Sequence, residues 1–520
     1  MSAGTPQSGV LLGRCTPIGC DPRSDVQPKC ASQGPKDLEL VETSAETAAI
    51  HVVKKVPRLR VMCVSVPESG HLIPTANVAM AMARRGHQTQ LISCACARSK
   101  LEAQCRSAGC EFVGVAEHVE AAESGRGRAA ELQSQDRMAA MFMYYSDEMR
   151  DPLRAAIRSS RPDVVVVDFI TPCGWEVADE FGIPVVVEVP SPLQFVPSML
   201  KFDNPWDAIL RRLRLGKEEA AGWQAILDGC RKVWYSKPCL VNTFFGLERP
   251  QPLRPNIVVT GTTALRGGAG EAVTETSFPL FNEWLEWVRA EGLKVVYVTM
   301  GSMQELQPFQ VTALYEGLAK VPGCAVAWSL KENQQRHLPS GGVQSVPRKF
   351  FVHKWLPQAE ALNLPEVALV ITHCGWGGLN ETIAAGKPIV ATPFRVDQPG
   401  NAALAKARGF CEVLDTSRLS ADAVEQTVER VLRNPSYAAC AKELQAALLK
   451  TGGVDTCVET VEFIAEHGHA EIVSEPPQPE KLAGRFCGPV ALLSLSAAMF
   501  AFGVACARMV TPKAAASVAH

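Results

Sequence analysis

The chain has little net charge and no regular spacing of its cysteines. Its 52 Lys and Arg residues against 54 Asp and Glu give a net charge of −2, which offers no basic surface to a nucleic acid. The 18 Cys are scattered, and several, such as Cys63 and Cys94, stand inside apolar runs. They form neither a disulfide framework nor paired metal-ligand spacing, so we expect buried free thiols in a reducing compartment.

The N-terminal region lacks both hydrophobic periodicity and the features of a secretory leader. Residues 1–57 are rich in Ser, Gly, Pro and Thr, which predicts a disordered extension. A basic segment followed by an apolar core, the pattern of a signal peptide, is missing there. We therefore expect the folded domains to begin near residue 58 and to lie in the cytosol.

Near the C-terminus one apolar segment stands out. After a linker at 469–485, residues 486–507 carry no charge and are followed by a short tail at 508–520. The segment is long enough to span a bilayer, although its many Ala, Ser and Gly also fit a packed helix or a peripheral contact. If it spans, the sequence predicts a tail-anchored membrane protein with its other domains in the cytosol; otherwise the protein is predicted to be cytoplasmic.

Between these ends, apolar runs typical of buried strands alternate with helical stretches, and no short-period repeat is visible. A length of 520 residues exceeds one ordinary domain. The composition, 47% hydrophobic and 20% charged, is that of a globular chain. The alternation predicts an α/β chain, and a Gly-, Ala- and Thr-rich stretch that contains Arg266–Gly270 reads as a linker between domains at 58–268 and 269–453.

The most informative stretch runs from Trp355 to Gln398. Its strand-like run Val367–Thr372 ends at the sequence His-Cys-Gly-Trp-Gly-Gly of residues 373–378, which predicts a strand, a Gly-rich turn and a helix. The free N–H groups and helix dipole of such a turn attract an anion. The glycines alone would also fit a tight connection.

Side chains around this turn suit the parts of a nucleotide sugar. Trp355 offers a flat ring for a base, and His373 can donate to a phosphate oxygen. Glu381 can accept from ribose hydroxyls, and Asp397-Gln398 follow the next apolar run. Ligands of open α/β sheets lie at the carboxyl ends of the strands, where we expect these groups to converge.

The stretch resembles the signature box of the family 1 UDP-dependent glycosyltransferases. The resemblance implies that Trp355 stacks on uracil, His373 contacts the diphosphate, Glu381 holds the ribose, and Asp397 with Gln398 binds the sugar. Gly301-Ser302, after the strand Lys294–Thr299, also matches the family, although a tight turn is the alternative. The UDP-sugar-binding residues predicted in this way are Ser302, Trp355, Gln358, His373, Gly375, Trp376, Gly377, Gly378, Glu381, Asp397 and Gln398.

At two places the sequence departs from the pattern of plant family members, and both bear on which UDP-sugar it binds. Plant members have Asn-Ser where this chain has Gly377-Gly378, so side-chain contacts there are replaced by backbone N–H groups or lost. The closing run Asp397–Asn401 is closer to that of animal members. The resemblance therefore predicts a UDP-sugar, with glucose favoured by Asp397-Gln398 and with galactose or glucuronate left open.

The candidate general base is His71, predicted to lie in a loop between the strand Arg60–Pro67 and a helix from Thr75 to Arg85. Alone, a loop histidine is more often a surface or capping residue. The resemblance changes this interpretation because Gly70-His71, with Pro74, matches the position of the family's base.

Asp168 is the candidate partner of this histidine. It closes the β-branched run Val164–Val167, where a helix N-cap is the simple alternative. A carboxylate beside His71 would hold the imidazole in one tautomer and stabilise the imidazolium that forms on proton uptake. Its separation from His71 is close to that of the family dyad, which favours this role.

The resemblance implies two Rossmann-like α/β domains that face each other across a cleft, the GT-B fold, with a helix at 454–468 packing back on the first domain. It further implies an inverting transferase that moves a hexose from a UDP-sugar to a hydroxyl of a small lipophilic acceptor, without a metal or other cofactor. Two hypotheses stay open beside it: a non-catalytic, membrane-attached nucleotide-sugar-binding subunit, and a UDP-sugar epimerase.

Overall fold

The computed structural model describes residues 57–201, 213, 215–264, 278–339, 342–470 and 472–473. The predicted N-terminal extension, the linker at Arg266–Gly270 and the apolar segment 486–507 lie outside this range, apart from Pro57. Across the part of the chain that is described, no helix has the length and apolar character needed to cross a membrane. The spanning segment therefore stays a prediction from sequence.

Two parallel sheets organise the described residues. The strands, in chain order, are β1 (Arg60–Val64), β2 (Gln88–Cys94), β3 (Glu111–Val115), β4 (Val164–Asp168), β5 (Val185–Val189), β6 (Cys239–Val241), β7 (Ile257–Val259), β8 (Lys294–Thr299), β9 (Cys324–Ser329), β10 (Phe350–His353), β11 (Val367–Thr372), β12 (Ile389–Ala391) and β13 (Cys411–Val413). The first sheet has the order β3-β2-β1-β4-β5-β6-β7 and the second the order β10-β9-β8-β11-β12-β13.

Helices connect these strands. They are Ser69–Arg84, Arg98–Ser107, Gly127–Ser134, Met138–Ser160, Pro172–Glu180, Phe195–Lys201 and Lys217–Ser236 in the first domain, followed by Pro279–Ala290, Pro308–Lys320, Glu332–Gln335, Gln358–Leu362, Trp376–Ala384, Gln398–Ala407, Ala421–Arg433, Pro435–Leu448 and Val454–His467. With parallel strand pairs on both sheets, this is the α/β class expected from the sequence.

Each sheet has a point at which the strand order reverses. It lies between β1 and β4 in the first sheet and between β8 and β11 in the second. The connections that leave these neighbouring strands diverge to opposite faces, and a crevice opens at the carboxyl ends of the strands. The residues that follow β1, β4, β8 and β11 are therefore the ones the fold presents to a ligand.

The strands of the first sheet are buried on both faces, as their runs of valine predict. Val165 and Val167 belong to one core cluster and Val164 and Val166 to the other. The helix Val454–His467 adds Cys457, Val461 and Ile464 to the second of these clusters. The last described helix thus packs in the core of the first domain.

Three loop predictions are wrong. The first helix begins at Ser69 rather than Thr75, because the N–H of Leu72 already donates to the Glu68 carbonyl (2.9 Å), and burial of Leu72 and Ala76 holds the helix together despite Pro74. The many Glu, Gly and Arg residues of 116–135 predict an exposed loop, but this stretch contains the helix Gly127–Ser134, whose Ala129, Ala130 and Leu132 are buried. The sequence also predicts a loop at 190–204, after the strand that ends at Val189, but this stretch contains the helix Phe195–Lys201.

Candidate active site

His71 and Asp168 meet at the crevice of the first sheet. His71 lies in the first turn of the helix that follows β1, and Asp168 is the last residue of β4, the neighbour of β1. The His71 Nδ1 atom lies 2.8 Å from Asp168 Oδ1, and the Asp168 side chain is fully buried while that of His71 is 20% exposed. An ionised carboxylate only accepts hydrogen bonds, so Nδ1 carries the hydrogen and Nε2 is the free base.

The second oxygen of Asp168 is held by its own chain. Asp168 Oδ2 accepts from the hydroxyl of Thr171 (2.8 Å) and from the N–H of Ile170 (3.3 Å). The Thr171 hydroxyl oxygen accepts in turn from the N–H of Val66 (3.1 Å). A buried carboxylate needs such partners to stay ionised. Sequence reasoning missed Thr171, for which an Asp followed three residues later by a Thr was the available signal.

His373 occupies the crevice of the second sheet, between two glycines. A Cβ on Gly301 would lie 2.6 Å from His373 Cε1, and a Cβ on Gly375 would lie 2.6 Å from Nε2. Both Gly-containing turns thus close on the imidazole ring, and any larger residue would displace it. Burial lowers the pKa of His373 to about 4, so the ring is neutral at pH 7 and serves as a hydrogen-bond donor rather than as a charge.

Asp397 and Gln398 begin the helix Gln398–Ala407 after β12. Asp397 Oδ2 accepts from the Asn401 side chain (2.6 Å), which also donates to the Cys374 carbonyl (2.9 Å). Gln398 Oε1 accepts from the N–H of Phe394 (2.9 Å). Asn401 therefore ties the sugar loop to the Gly-rich turn, a role that sequence reasoning did not assign.

Two residues beside these groups adopt left-handed backbone conformations. Cys374, next to His373, has a φ of 61°, and Val396, next to Asp397, has a φ of 56°. Such conformations cost roughly 1–3 kcal/mol in residues other than glycine, and they cluster at binding sites. The strain supports the assignment of both turns to function.

A second group of predicted residues lies farther along the same domain. Gln358 Nε2 donates to Glu381 Oε2 (2.6 Å), and burial raises the pKa of Glu381 while Gln358 opposes this shift. A Cβ on Gly378 would lie 3.5 Å from Gln358 Nε2. Trp355 is 58% exposed, so its ring face is available to a planar ligand.

One cavity of about 210 Å³ connects the two domains. The predicted site residues on its wall are His71, Ser302, His373, Gly375, Trp376, Gly377, Asp397 and Gln398. Trp355, Gln358, Gly378 and Glu381 are outside this wall, and Asp168 is buried behind His71. The base on the first domain and the Gly-rich turn on the second therefore open into the same space.

Trp376 has a contact that the sequence did not predict. The residue is 5% exposed and lies in a core cluster with Phe244 and Leu247 of the first domain. Its indole N–H donates to the Asn242 carbonyl (3.0 Å). The tryptophan of the signature box thus joins the two domains, in addition to bordering the cavity.

The first-domain side of the cavity is largely apolar. The centroids of the Phe142 and Phe169 rings lie 5.4 and 5.6 Å from that of His71. Further apolar lining comes from Met138, Ile170, Phe195, Met199, Trp223 and Ile226. Within the described ranges, no group of three or more His, Cys, Asp or Glu side chains is placed to hold a metal ion; that no metal takes part stays a prediction.

Two doubly wound sheets with a shared cavity at their switch points define the GT-B class of fold. The chain is similar to the solved structure of TcCGT1 in complex with UDP, with a TM-score of 0.64 at 20% identity over 79% of this chain and 100% of that one. At this identity the likeness shows the fold. It confirms the two-domain α/β architecture expected from the sequence.

The sequence matches point to the same family as the signature box. Residues 231–473 match the family model described as "UDP-glucoronosyl and UDP-glucosyl transferase", the family that the signature box resembles. It is 26% identical to UDP-glucuronosyltransferase 2A3 of Mus musculus over 63% of this chain and 64% of the relative. It is 30% identical to oleandomycin glycosyltransferase of Streptomyces antibioticus over 37% of this chain and 44% of the relative. The chain thus matches less than two thirds of the length of these relatives.

Proposed function

We propose that this chain is an inverting glycosyltransferase that moves a hexose, with glucose favoured, from a UDP-sugar to a hydroxyl of a small lipophilic acceptor. One observation carries the proposal: the His71 imidazole, paired with the buried Asp168 carboxylate, borders the same cavity as the Gly-rich turn of the second domain. The apolar lining beside His71 supports a lipophilic acceptor.

In this mechanism His71 is the general base. With its Nδ1 hydrogen held by Asp168, Nε2 takes the proton of the acceptor hydroxyl as the oxygen attacks the anomeric carbon. Asp168 stabilises the imidazolium that results, because its negative charge lies 2.8 Å away. Attack on the face opposite the diphosphate converts an α-linked donor into a β-glycoside.

The second domain holds the leaving group. Negative charge grows on the diphosphate as UDP departs, and the free N–H groups at the start of the helix Trp376–Ala384 would stabilise it. His373, neutral before the donor binds, donates a hydrogen bond to a phosphate oxygen. Because Gly377 and Gly378 have no side chains, the backbone of the turn can approach the phosphates closely.

The remaining contacts orient the donor. Asp397 and Gln398 line the cavity and would accept and donate to the sugar hydroxyls. Glu381, supported by Gln358, would hold the ribose, and the exposed Trp355 ring would cover the uracil. Glucose is favoured because adjacent carboxylate and amide groups suit neighbouring equatorial hydroxyls.

The paired His71 and Asp168 favour catalysis over a silent binding subunit, which would have no use for an oriented base. The apolar volume beside the base favours an external acceptor over epimerisation of the sugar. Neither alternative explains both features.

The test is release of UDP from UDP-glucose in the presence and absence of a lipophilic alcohol such as 2-naphthol. Release that depends on the alcohol supports a transferase, and release without it, or epimerisation of the sugar, contradicts the proposal. We expect His71→Ala to lower kcat about 10²–10⁴-fold while UDP binding, measured by calorimetry, is kept. An unimpaired His71→Ala variant would remove the base assignment.

A further inference from the structure

Glu68 is a buried carboxyl on the wall of the cavity to which the mechanism gives no role. It is 5% exposed, and it lines the cavity beside Gly70 and His71. It occupies the N-cap position of the helix Ser69–Arg84, yet its side chain makes no capping hydrogen bond. Short side chains that cap the backbone are favoured at this position, so the helix does not explain the glutamate.

Tyr145 holds one of the two carboxyl oxygens. The Tyr145 hydroxyl donates to Glu68 Oε1 (3.1 Å) and accepts from the N–H of Ala122 (3.0 Å). The bond from Ala122 uses a lone pair of the Tyr145 oxygen, so the hydroxyl hydrogen is available to the Glu68 carboxylate, which only accepts. No described residue donates to Glu68 Oε2, which leaves this oxygen for a molecule in the cavity.

In its buried surroundings, Glu68 Oε2 would be stabilised by a hydrogen bond from a ligand. Burial raises the pKa of Glu68, and Lys100 and the Tyr145 hydroxyl oppose that shift. A buried carboxyl oxygen without a hydrogen bond is costly, whereas one that receives a ligand's hydrogen bond discriminates strongly against a ligand that cannot donate. Apart from Glu68 and His71, the first-domain lining of this cavity is largely apolar, which leaves few competing polar groups.

We propose that Glu68 Oε2 accepts a hydrogen bond from a second hydroxyl of the acceptor. The inference rests on the proposed function and narrows its acceptor class to lipophilic diols and polyols. Glu68, at the N-cap, and His71, three residues later, line the same cavity. One acceptor with hydroxyls at two ends of its ring system can therefore meet both side chains.

Pairs of acceptors that differ in one hydroxyl hydrogen test whether a preference comes from hydrogen-bond donation or from molecular shape. Hydroquinone and 4-methoxyphenol share a skeleton, as do naphthalene-2,6-diol and 6-methoxy-2-naphthol, but each methyl ether has lost one hydrogen-bond donor. We expect the wild-type protein to use each diol with a kcat/KM at least about tenfold above that of its ether, and to bind the diol more tightly by calorimetry in the presence of UDP.

Glu68→Gln reverses the hydrogen-bonding character of this wall. Tyr145 continues to donate to the amide oxygen, so the amide NH₂ replaces Oε2 and donates into the cavity. The preference for the diol should fall to about one or invert in favour of the ether, whose oxygen accepts. Tyr145→Phe, which releases Glu68, should weaken the preference without inverting it.

Glu123→Gln is the matched control. Glu123 pairs with Lys100 (2.8 Å) and acts on Glu68 only through its charge, so its loss should leave the preference for the diol intact. Thermal unfolding of each variant shows that the fold is kept. A purely structural role for Glu68 would lower the use of diol and ether alike.

Measurements of acceptor binding and of sugar transfer distinguish a failure of the Glu68 inference from a failure of the proposed function. If diols bind better than their ethers and Glu68→Gln removes the difference, but no sugar is transferred, the proposed function fails and the inference holds. If both probes are glucosylated equally well, or if Glu68→Gln keeps the wild-type ratio, the inference is overturned and the proposed function stands.

Discussion

At the scale of single residues, the site depends on how each polar group is enclosed. Gly301 and Gly375 leave just enough room for the ring of His373, and Thr171 supplies the hydrogen bond that keeps Asp168 in place. In both cases a small residue determines the chemistry of a larger one, because it sets which hydrogen bonds or charges the larger one can maintain.

His373 should make stability depend on pH. The folded protein holds the pKa of His373 at about 4, against 6.5 for an unperturbed histidine, so below pH 6.5 the unfolded chain binds a proton that the folded protein resists. The contribution is complete above pH 6.5 and is lost as the pH falls toward 4, by roughly 3 kcal/mol. Denaturant unfolding at pH 7 and pH 4.5 measures the loss, which should shrink in His373→Asn; an equal loss in that variant would contradict the assignment.

Thr171→Val should impair catalysis more than folding. The substitution keeps the shape but removes the hydroxyl from Asp168 and from the N–H of Val66, which costs about 1–3 kcal/mol and lets the carboxylate turn away from His71. We expect kcat for UDP-glucose and 2-naphthol to fall about tenfold or more, with the KM for the donor little changed. Thr89→Val, a buried threonine on β2 whose hydroxyl lies 3.4 Å from a carbonyl, is the control and should keep kcat.

At the scale of elements, the repeated unit of strand, short turn and helix brings the site residues together. The turns after β8, β11 and β12 contribute three, four and four residues, respectively, to the wall of the cavity. Asn401 links two of these turns from inside the helix Gln398–Ala407. A helix that begins at the sugar loop thus also braces the phosphate turn.

Asn401→Ala should loosen both turns at once. The substitution removes one hydrogen bond each from the buried Asp397 carboxylate and the Cys374 carbonyl, and we expect the Kd for UDP-glucose to rise about tenfold, more than the Kd for UDP alone. Calorimetry with the two ligands measures the difference. Asn363→Ala, which removes an exposed hydrogen bond at the end of the helix Gln358–Leu362, should leave both values unchanged; an equal rise for UDP and UDP-glucose would argue against a role at the sugar.

At the scale of the whole molecule, function depends on the contact between the two domains. The Arg408 guanidinium donates to the carbonyls of Leu247 and Glu248 (2.6 Å each), and the Trp376 indole donates to that of Asn242. On the cavity side, Arg395 of the second domain pairs with Asp136 of the first. The first two contacts are shielded, whereas the third is exposed to solvent and sensitive to salt.

The effect of Asp136→Asn on the KM should therefore depend on the salt concentration. Exposed ion pairs contribute about 0–1 kcal/mol, so the variant's KM for 2-naphthol should exceed that of the wild type less than about fivefold at low salt and converge with it at 1 M NaCl, where charges are screened. Asp422→Asn removes an exposed pair with Lys320 on the second domain and should behave as the wild type. A salt-independent difference would contradict the ion-pair account.

The sequence predicted regular elements best where a pattern is strictly local. The strands Lys294–Thr299 and Val367–Thr372 have the predicted bounds, because runs of apolar and β-branched residues specify a buried strand wherever it lies. The sequence did not predict the helices Gly127–Ser134 and Phe195–Lys201. The first has many polar residues and the second has prolines near its start, and each is stabilised by a few side chains that only tertiary packing buries.

The site divides in the same way. The sequence alone indicated the family that residues 231–473 match, the alternation of strands and helices, and the chemical groups that follow each strand, since all of these reside in short, contiguous motifs. Tertiary structure alone decided which distant groups meet: Tyr145 with Glu68, Trp376 with Asn242, and Arg395 with Asp136. Such contacts join residues far apart in the chain, and the last two arise only when the two sheets pack with their carboxyl edges toward one cavity.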